Sequence, residues 1–202
     1  MEYSPKIKGR IHIDEKYIPI LLDFAFDLNA IDHKTKYIIS HSLVDKRTKP
    51  KVINFYKKIK ITCYKQILER YKKNKKNKII FVSDGFQNYK NAFNKLFFRV
   101  AELQFGVPIA CKRYGYEHNN NPIERYNEDI EDRIKTMRNF GSFEGAENFL
   151  NLKTIIHNFI NPHMQLQGKT PAEEAEIDLK LGRQKLLNLI KLQAKKKHHS
   201  LR

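Results

Sequence analysis

Lys78-Ile79-Ile80-Phe81-Val82-Ser83-Asp84-Gly85 is the stretch that decides the fold. Its short continuous apolar run reads as a strand buried on both faces, the kind found inside a parallel sheet covered by helices. Asp84 stands at the carboxyl end of that strand, and Gly85 lets the chain turn. Open α/β sheets bind ligands outside the carboxyl ends of their strands, so an acid there is placed for chemistry. Upstream, Gly9-Arg10-Ile11-His12-Ile13-Asp14-Glu15 alternates Ile11 and Ile13 with polar neighbours, which predicts a half-buried strand over about 9–14. Asp14 falls near its end. Glu15 points to the opposite face of the same strand, which makes Asp14 the preferred candidate.

A third acid lies in His118-Asn119-Asn120-Asn121-Pro122-Ile123-Glu124-Arg125-Tyr126-Asn127-Glu128, which reads as a helix start. Asn121 can cap it, Pro122 suits the first helical position because its missing N–H needs no partner there, and Glu124 follows in the first turn. Ile123, Ile130, Ile134 and Met137 recur at helical spacing as one buried stripe, with Glu124, Glu128, Glu131 and Lys135 on a more polar face. By itself this helix explains Glu124 through the helix dipole. A catalytic role requires other carboxylates to converge on it.

The remaining chain completes an α/β pattern. Residues 21–31 and 36–44 read as strands joined by the turn Asp32-His33-Lys34-Thr35, giving an antiparallel meander with the first strand. Apolar spacing predicts a helix over 50–71, with a break or bend at Ile59-Lys60-Ile61-Thr62. A basic loop over 72–78 suits either DNA phosphates or plain solvation. A helix over 86–97, short strands over 98–103 and 107–111, and an amphipathic helix over 143–160 follow. Thr170-Pro171-Ala172-Glu173 has the features of a capping box.

His12-Ile13-Asp14-Glu15-Lys16-Tyr17-Ile18, Val82-Ser83-Asp84-Gly85 with Tyr89 and Ala92-Phe93 after it, and Asn120-Asn121-Pro122-Ile123-Glu124-Arg125 resemble the three motifs of DDE transposases. The likeness is strongest to the prokaryotic insertion-sequence transposases grouped with the IS6 and IS240 elements. Lys135-Thr136-Met137-Arg138-Asn139-Phe140-Gly141-Ser142-Phe143, Asn158-Phe159-Ile160-Asn161-Pro162-His163 and Gly168-Lys169-Thr170-Pro171-Ala172-Glu173 resemble that family's C-terminal part in the same order, so the likeness covers about residues 9–175. It implies an RNase H-like, retroviral-integrase-like α/β fold, a mixed sheet flanked by helices. It also implies that Asp14, Asp84 and Glu124 are a catalytic, metal-binding triad for two Mg²⁺ or Mn²⁺ ions, Asp14 bridging both. Such a site frees a 3′-hydroxyl at an element end and uses it to attack target DNA, in a homodimer or larger synaptic complex. The resulting division is a tail or linker remnant over 1–8, a catalytic domain over 9–165, and a helical extension with a basic tail over 166–202.

Two departures from the family pattern stand out. Members often carry a basic residue about seven positions after the glutamate, where Glu131 stands here, so Arg133 or Lys135 would have to offset its repulsion of DNA. Complete transposases carry an N-terminal helix-turn-helix or zinc-binding segment, whereas 13 residues precede Asp14 here, which suggests a truncated copy. The alternatives to an active transposase are accordingly a non-catalytic DNA-binding remnant and an RNase H-like nuclease.

Composition points independently to a polyanion. Against 22 Asp and Glu stand 39 Lys and Arg in 202 residues, a net charge of +17, which favours phosphate contacts with nucleic acid. Lys112, Arg113, Arg125, Arg133 and Lys135 are the candidate DNA contacts, and Tyr114 and Tyr116 can stack on unpaired bases. His118 and His163 have no evident chemical task. Isolated Cys63 and Cys111 argue against a disulfide framework or a Cys-rich zinc site. With no long apolar run and no leader, the expectation is a cytoplasmic, nucleoid-associated prokaryotic protein with no membrane partner.

Overall fold

The computed structural model describes residues 4–21, 23–105 and 121–199. The described residues build one five-stranded mixed sheet from β1 (Ile11–Ile20), β2 (Asp23–Asp32), β3 (Ile38–Val44), β4 (Ile79–Ser83) and β5 (Ala101–Phe105), in the order β3-β2-β1-β4-β5. The first three form the expected antiparallel meander, while β4 pairs parallel to β1, and β5 parallel to β4. Parallel neighbours need crossovers, and α1 (Lys49–Lys73) and α2 (Gln87–Leu96) supply them. β1 runs well beyond the predicted 9–14 because Ile18 and Ile20 continue its buried alternation. The predicted strand over 107–111 lies outside the described residues.

Each face of the sheet has its own core. Ile11, Ile13, Phe81 and Leu28 face α1 and α2, where Phe81 meets the rings of Phe97 at 4.9 Å and Phe93 at 5.3 Å. The opposite face takes Ile18, Ile20, Ala25 and Ile31 against α3 (Asn121–Met137) and α4 (Phe143–Ile155). α1 is unbroken at 59–62. Thr62 Oγ1 and Cys63 Sγ hydrogen-bond back to the carbonyls of Lys58 and Ile59, and the buried stripe continues through Cys63 and Ile67. On α3 the stripe is Ile123, Tyr126, Ile130 and Ile134, whereas Met137, expected within it, is the last residue of the helix and is 47% exposed. The helix predicted over 143–160 is α4 followed by a π-helical turn, Ile156–Ile160.

The first and last described segments are built into this frame. Residues 4–8, read from composition as a tail, are pinned by Lys6 N–H to the Ala175 carbonyl at 2.8 Å and Ile7 N–H to Gln66 Oε1 at 3.1 Å. Ala172, Ala175, Ile177 and Leu189 join the α1 side of the core from α5 (Pro171–Glu174), the segment after it and α6 (Lys185–His199), and Thr170 with Glu173 completes the predicted capping box. Asp32 is fully buried at the end of β2 and accepts from Lys8 N–H at 3.0 Å, Gly9 N–H at 2.8 Å and Thr35 Oγ1–H at 2.9 Å. Gly9 is required there, since a Cβ would lie 2.7 Å from Asp32 Oδ1 and 2.9 Å from Lys34 N. Asp32→Ala would strand these donors, and the expected cost is about 3 kcal/mol of unfolding free energy, measured by urea denaturation.

Candidate active site

Three elements carry the sequence-predicted acids to one region. Alternation along β1 sends His12, Asp14 and Lys16 toward α3, and Ile11, Ile13 and Glu15 toward α1 and α2. β4 pairs Ile11 with Phe81 and His12 with Val82, so two further steps of that register bring Asp84 beside Asp14 on the neighbouring strand. Adjacent strands are about 4.8 Å apart, which sets the scale of that approach. Asp84 Oδ1 accepts the Phe86 N–H at 3.0 Å in an Asx turn that leads into α2. Glu124 stands in the first turn of α3, whose buried stripe lies across β1 and β2. The predicted Asn121 cap and Pro122 involve side chains outside the described residues.

Charge is concentrated here and sparsely compensated. Burial first, then the charges of Glu15, Asp84 and Glu124, push the Asp14 carboxyl from its ordinary 3.8 up to about 7. Glu124 is also raised, by burial and by Glu128. Glu15 is raised by burial even though the Tyr89 hydroxyl donates to it at 2.5 Å and Arg47 pairs with it. Arg47 itself is held over Phe86 at 4.6 Å and Phe26 at 4.8 Å, so this cation is committed to the Glu15 side of the sheet.

Asn127, one turn after Glu124, donates from Nδ2 to Asp14 Oδ2 at 3.1 Å. Asn29, the cross-strand partner of Asp14 on β2, donates from Nδ2 to Asp27 Oδ2 at 2.9 Å. The Oδ1 atoms of both asparagines are buried with no hydrogen-bond partner among the described residues. Buried acceptors of that kind, set around a carboxylate with a raised pKa, suit a hard cation or its water. Among the described residues no three His, Cys, Asp or Glu side chains close on a single point.

The candidate DNA contacts separate in space. Lys112 and Arg113, with Tyr114, Tyr116 and His118, lie outside the described residues. Arg133 lies half a helical turn away from Glu124 around α3 and is exposed. Lys135 shares the Glu124 side of the helix but sits about 16 Å along it and pairs with Glu131 at 2.9 Å. Glu131 also pairs with Lys16 of β1, so two lysines offset its charge rather than Arg133. Arg125 opens into a separate cavity beside Asn161, Pro162 and His163. Arg47, Asn127 and Asn29 are the neighbours that sequence reasoning missed; of these, Asn127 alone carried a signal, its three-residue spacing from Glu124.

The DDE domain profile of the IS240 transposase type matches residues 8–163, more than half of the chain. The chain belongs to that family. It is the catalytic domain of a transposase, a polynucleotidyl transferase. Among curated protein sequences none matches it. Solved structures agree on the fold of this DDE domain. The HTLV-2 integrase catalytic core in complex with magnesium, in a dimeric form, is similar with a TM-score of 0.53 at 13% identity, over 87% of this chain and 99% of that one. Its trimeric form gives 0.54 at 13% identity, over 84% and 97%. A chain of the simian T-cell lymphotropic virus intasome with a PP2A regulatory subunit gives 0.55 at 12% identity, over 89% and 61%. The fold of the DDE domain is therefore RNase H-like, as in retroviral integrase cores.

The shift at Asp14 sets a pH dependence. Its folded-state pKa lies above the unfolded value, so between about pH 4 and pH 7 the folded chain keeps a proton that the unfolded chain releases. Stability therefore falls as pH rises through that window. Thermal midpoints recorded in EDTA are expected to decline across it for the wild type, and the decline is expected to be shallower in Asp14→Asn.

Proposed function

We propose that Asp14, Asp84 and Glu124 are the catalytic triad of a metal-dependent DNA strand transferase, with Mg²⁺ or Mn²⁺ as the resident ions. The observation that carries the reading is the β1–β4 register that sets Asp14 beside Asp84, with the Asp14 carboxyl raised to about 7 and two buried amide oxygens nearby that have no donor among the described residues. Two bound divalent ions would activate the attacking oxygen and stabilise the charge on the leaving oxygen of a phosphodiester. The three acids would hold those ions through hard carboxylate oxygens, Asp14 to both. Magnesium retains several waters and takes only a few carboxylates, a number that three acids can supply.

The other roles follow from the surroundings of the triad. Asn127 orients Asp14 through its amide N–H and stays aligned because α3 is anchored by its buried stripe. Glu15, engaged by Arg47 and Tyr89, adds negative charge beside Asp14 and Asp84 and so strengthens the pull on a cation. DNA is the substrate, consistent with the net charge of +17, and two element ends imply at least a dimer. The same reading gives a DNA-associated location, the nucleoid of a prokaryotic cell. Among the described residues no helix is long and apolar enough to cross a membrane.

Supercoiled plasmid and short duplexes incubated with Mg²⁺ or Mn²⁺ test the proposal. Nicking or strand joining is expected with the wild type, none with Asp84→Ala, and none in EDTA. Metal-dependent nicking that persists in Asp84→Ala would sink the triad. Asn127→Ala is expected to keep the fold and weaken the metal dependence by about 10-fold, read as the Mn²⁺ concentration that gives half-maximal nicking.

A further inference from the structure

The Asn161-Pro162-His163 run and Arg125 meet in a cavity of 270 Å³ beside α3. Lys36 enters the same cavity from the turn between β2 and β3. Its backbone is left-handed, at φ 59°, which is uncommon for a lysine and is retained only where surroundings enforce it. The surroundings do so here. The Lys36 N–H donates to the Asp32 carbonyl at 2.8 Å, and the Lys36 carbonyl accepts His157 Nε2–H at 2.8 Å. His157 in turn lies edge-on to Tyr126 of α3 at 4.9 Å.

The cavity gathers positive charge, and Asp129, the acid among its lining residues, is taken by Lys153 at 2.5 Å. Among the described residues neither Lys36 nor Arg125 makes an ion pair. The cations feel one another. Lys36 is lowered by burial and by Arg125 despite Asp32, and His163 is lowered by burial, by Lys36 and by Arg125. His163 Nδ1 accepts the Gln165 N–H at 3.2 Å, so the neutral ring carries its proton on Nε2 and has a donor to offer. Two cations and an N–H donor brought together at a strained turn match a phosphate group, which needs charge and several donors at once.

We propose that Lys36, Arg125 and His163 form a phosphate-binding subsite that grips the nucleic-acid backbone next to the reacting phosphodiester. The claim rests on the DNA-processing reading of this domain and adds where the strand is held. Arg125 follows Glu124 directly in α3, so a phosphate in the cavity is positioned against the helix that carries the third acid. Such contacts set register without reading sequence. They also give the Asn-Pro-His run a task, since Pro162 and Asn161 form the wall from which His163 projects.

The test measures anisotropy of a fluorescein-labelled duplex in EDTA over a series of salt concentrations, with Lys36→Gln, Arg125→Gln and H163N. Each lost phosphate contact by a cation is expected to reduce the slope of log K against log salt by about 0.9. Arg125→Gln and Lys36→Gln should each show such a loss and bind several-fold more weakly, H163N should weaken binding with a smaller change in slope, and the exposed Lys57→Gln on α1 should match the wild type. Equal losses in Lys57→Gln, or a wild-type slope in Arg125→Gln, would overturn the subsite. The plasmid assay separates the two claims: Asp84→Ala abolishes nicking with Mn²⁺ if the triad reading holds, whereas the salt slopes of Lys36→Gln and Arg125→Gln in EDTA report on the subsite alone. Inorganic phosphate alone, followed by thermal midpoint, identifies a free-phosphate pocket. If it stabilises the wild type through Arg125 while duplex binding is indifferent to Arg125, the ligand is free phosphate and the nucleic-acid assignment falls.

Discussion

The parallel pairing of β1 with β4 is the constraint on which the rest depends. Its register sets Asp14 and Asp84 on neighbouring strands at the point where β4 ends and the chain turns into α2. β1 is covered on both faces, and Val82 and Ser83 at the end of β4 are fully buried, so the carboxylates meet in a partly desolvated place where like charges repel strongly. Burial first, and then repulsion from Glu15, Asp84 and Glu124, raise the Asp14 carboxyl to about 7. Among the described residues Asn127 contributes one N–H to Asp14, and Arg47 is spent on Glu15.

Helix α3 is the second half of the arrangement, and it is secured at both ends. Its apolar stripe buries Ile123, Tyr126, Ile130 and Ile134 against β1 and β2, which carries Glu124 and Asn127 to Asp14. Farther along, Glu131 bridges Lys135 on its own helix and Lys16 on β1. An acid where the family often has a base looked, in sequence, like a source of repulsion toward DNA. In three dimensions it is a link between helix and sheet, neutralised by the lysine that alternation places two residues after Asp14.

Around this centre the fold uses buried polar contacts to close its periphery. Asp32 ties the first residues to the β2–β3 turn, Lys6 reaches Ala175 across the chain, and Asn158 in the π-helical turn bonds both the N–H and the carbonyl of Ile38. These contacts draw the Asn-Pro-His run toward the same turn that presents Lys36. The periphery and the phosphate subsite are thus one construction, in which a turn strained by packing delivers a cation.

By itself the sequence determined the strands that carry Asp14 and Asp84 and the helix that carries Glu124, while the RNase H-like class followed from the resemblance of its motifs to a family. Those are local signals, in alternation along β1, a continuous apolar run in β4 and the proline-led start of α3, and short-range sterics and burial enforce them. It did not determine the end of β1, the continuity of α1 or the exposure of Met137, where packing against the sheet overrode periodicity. Nor did it identify the partners of the acids. Asn127 meets Asp14 across 113 residues, Lys16 meets Glu131 across 115, and Arg47 meets Glu15 across 32. Those pairings, and the convergence of Lys36, Arg125 and His163, were decided by the tertiary structure alone, because a contact between polar side chains on separate elements leaves no period in the chain and exists only once the hydrophobic faces have docked.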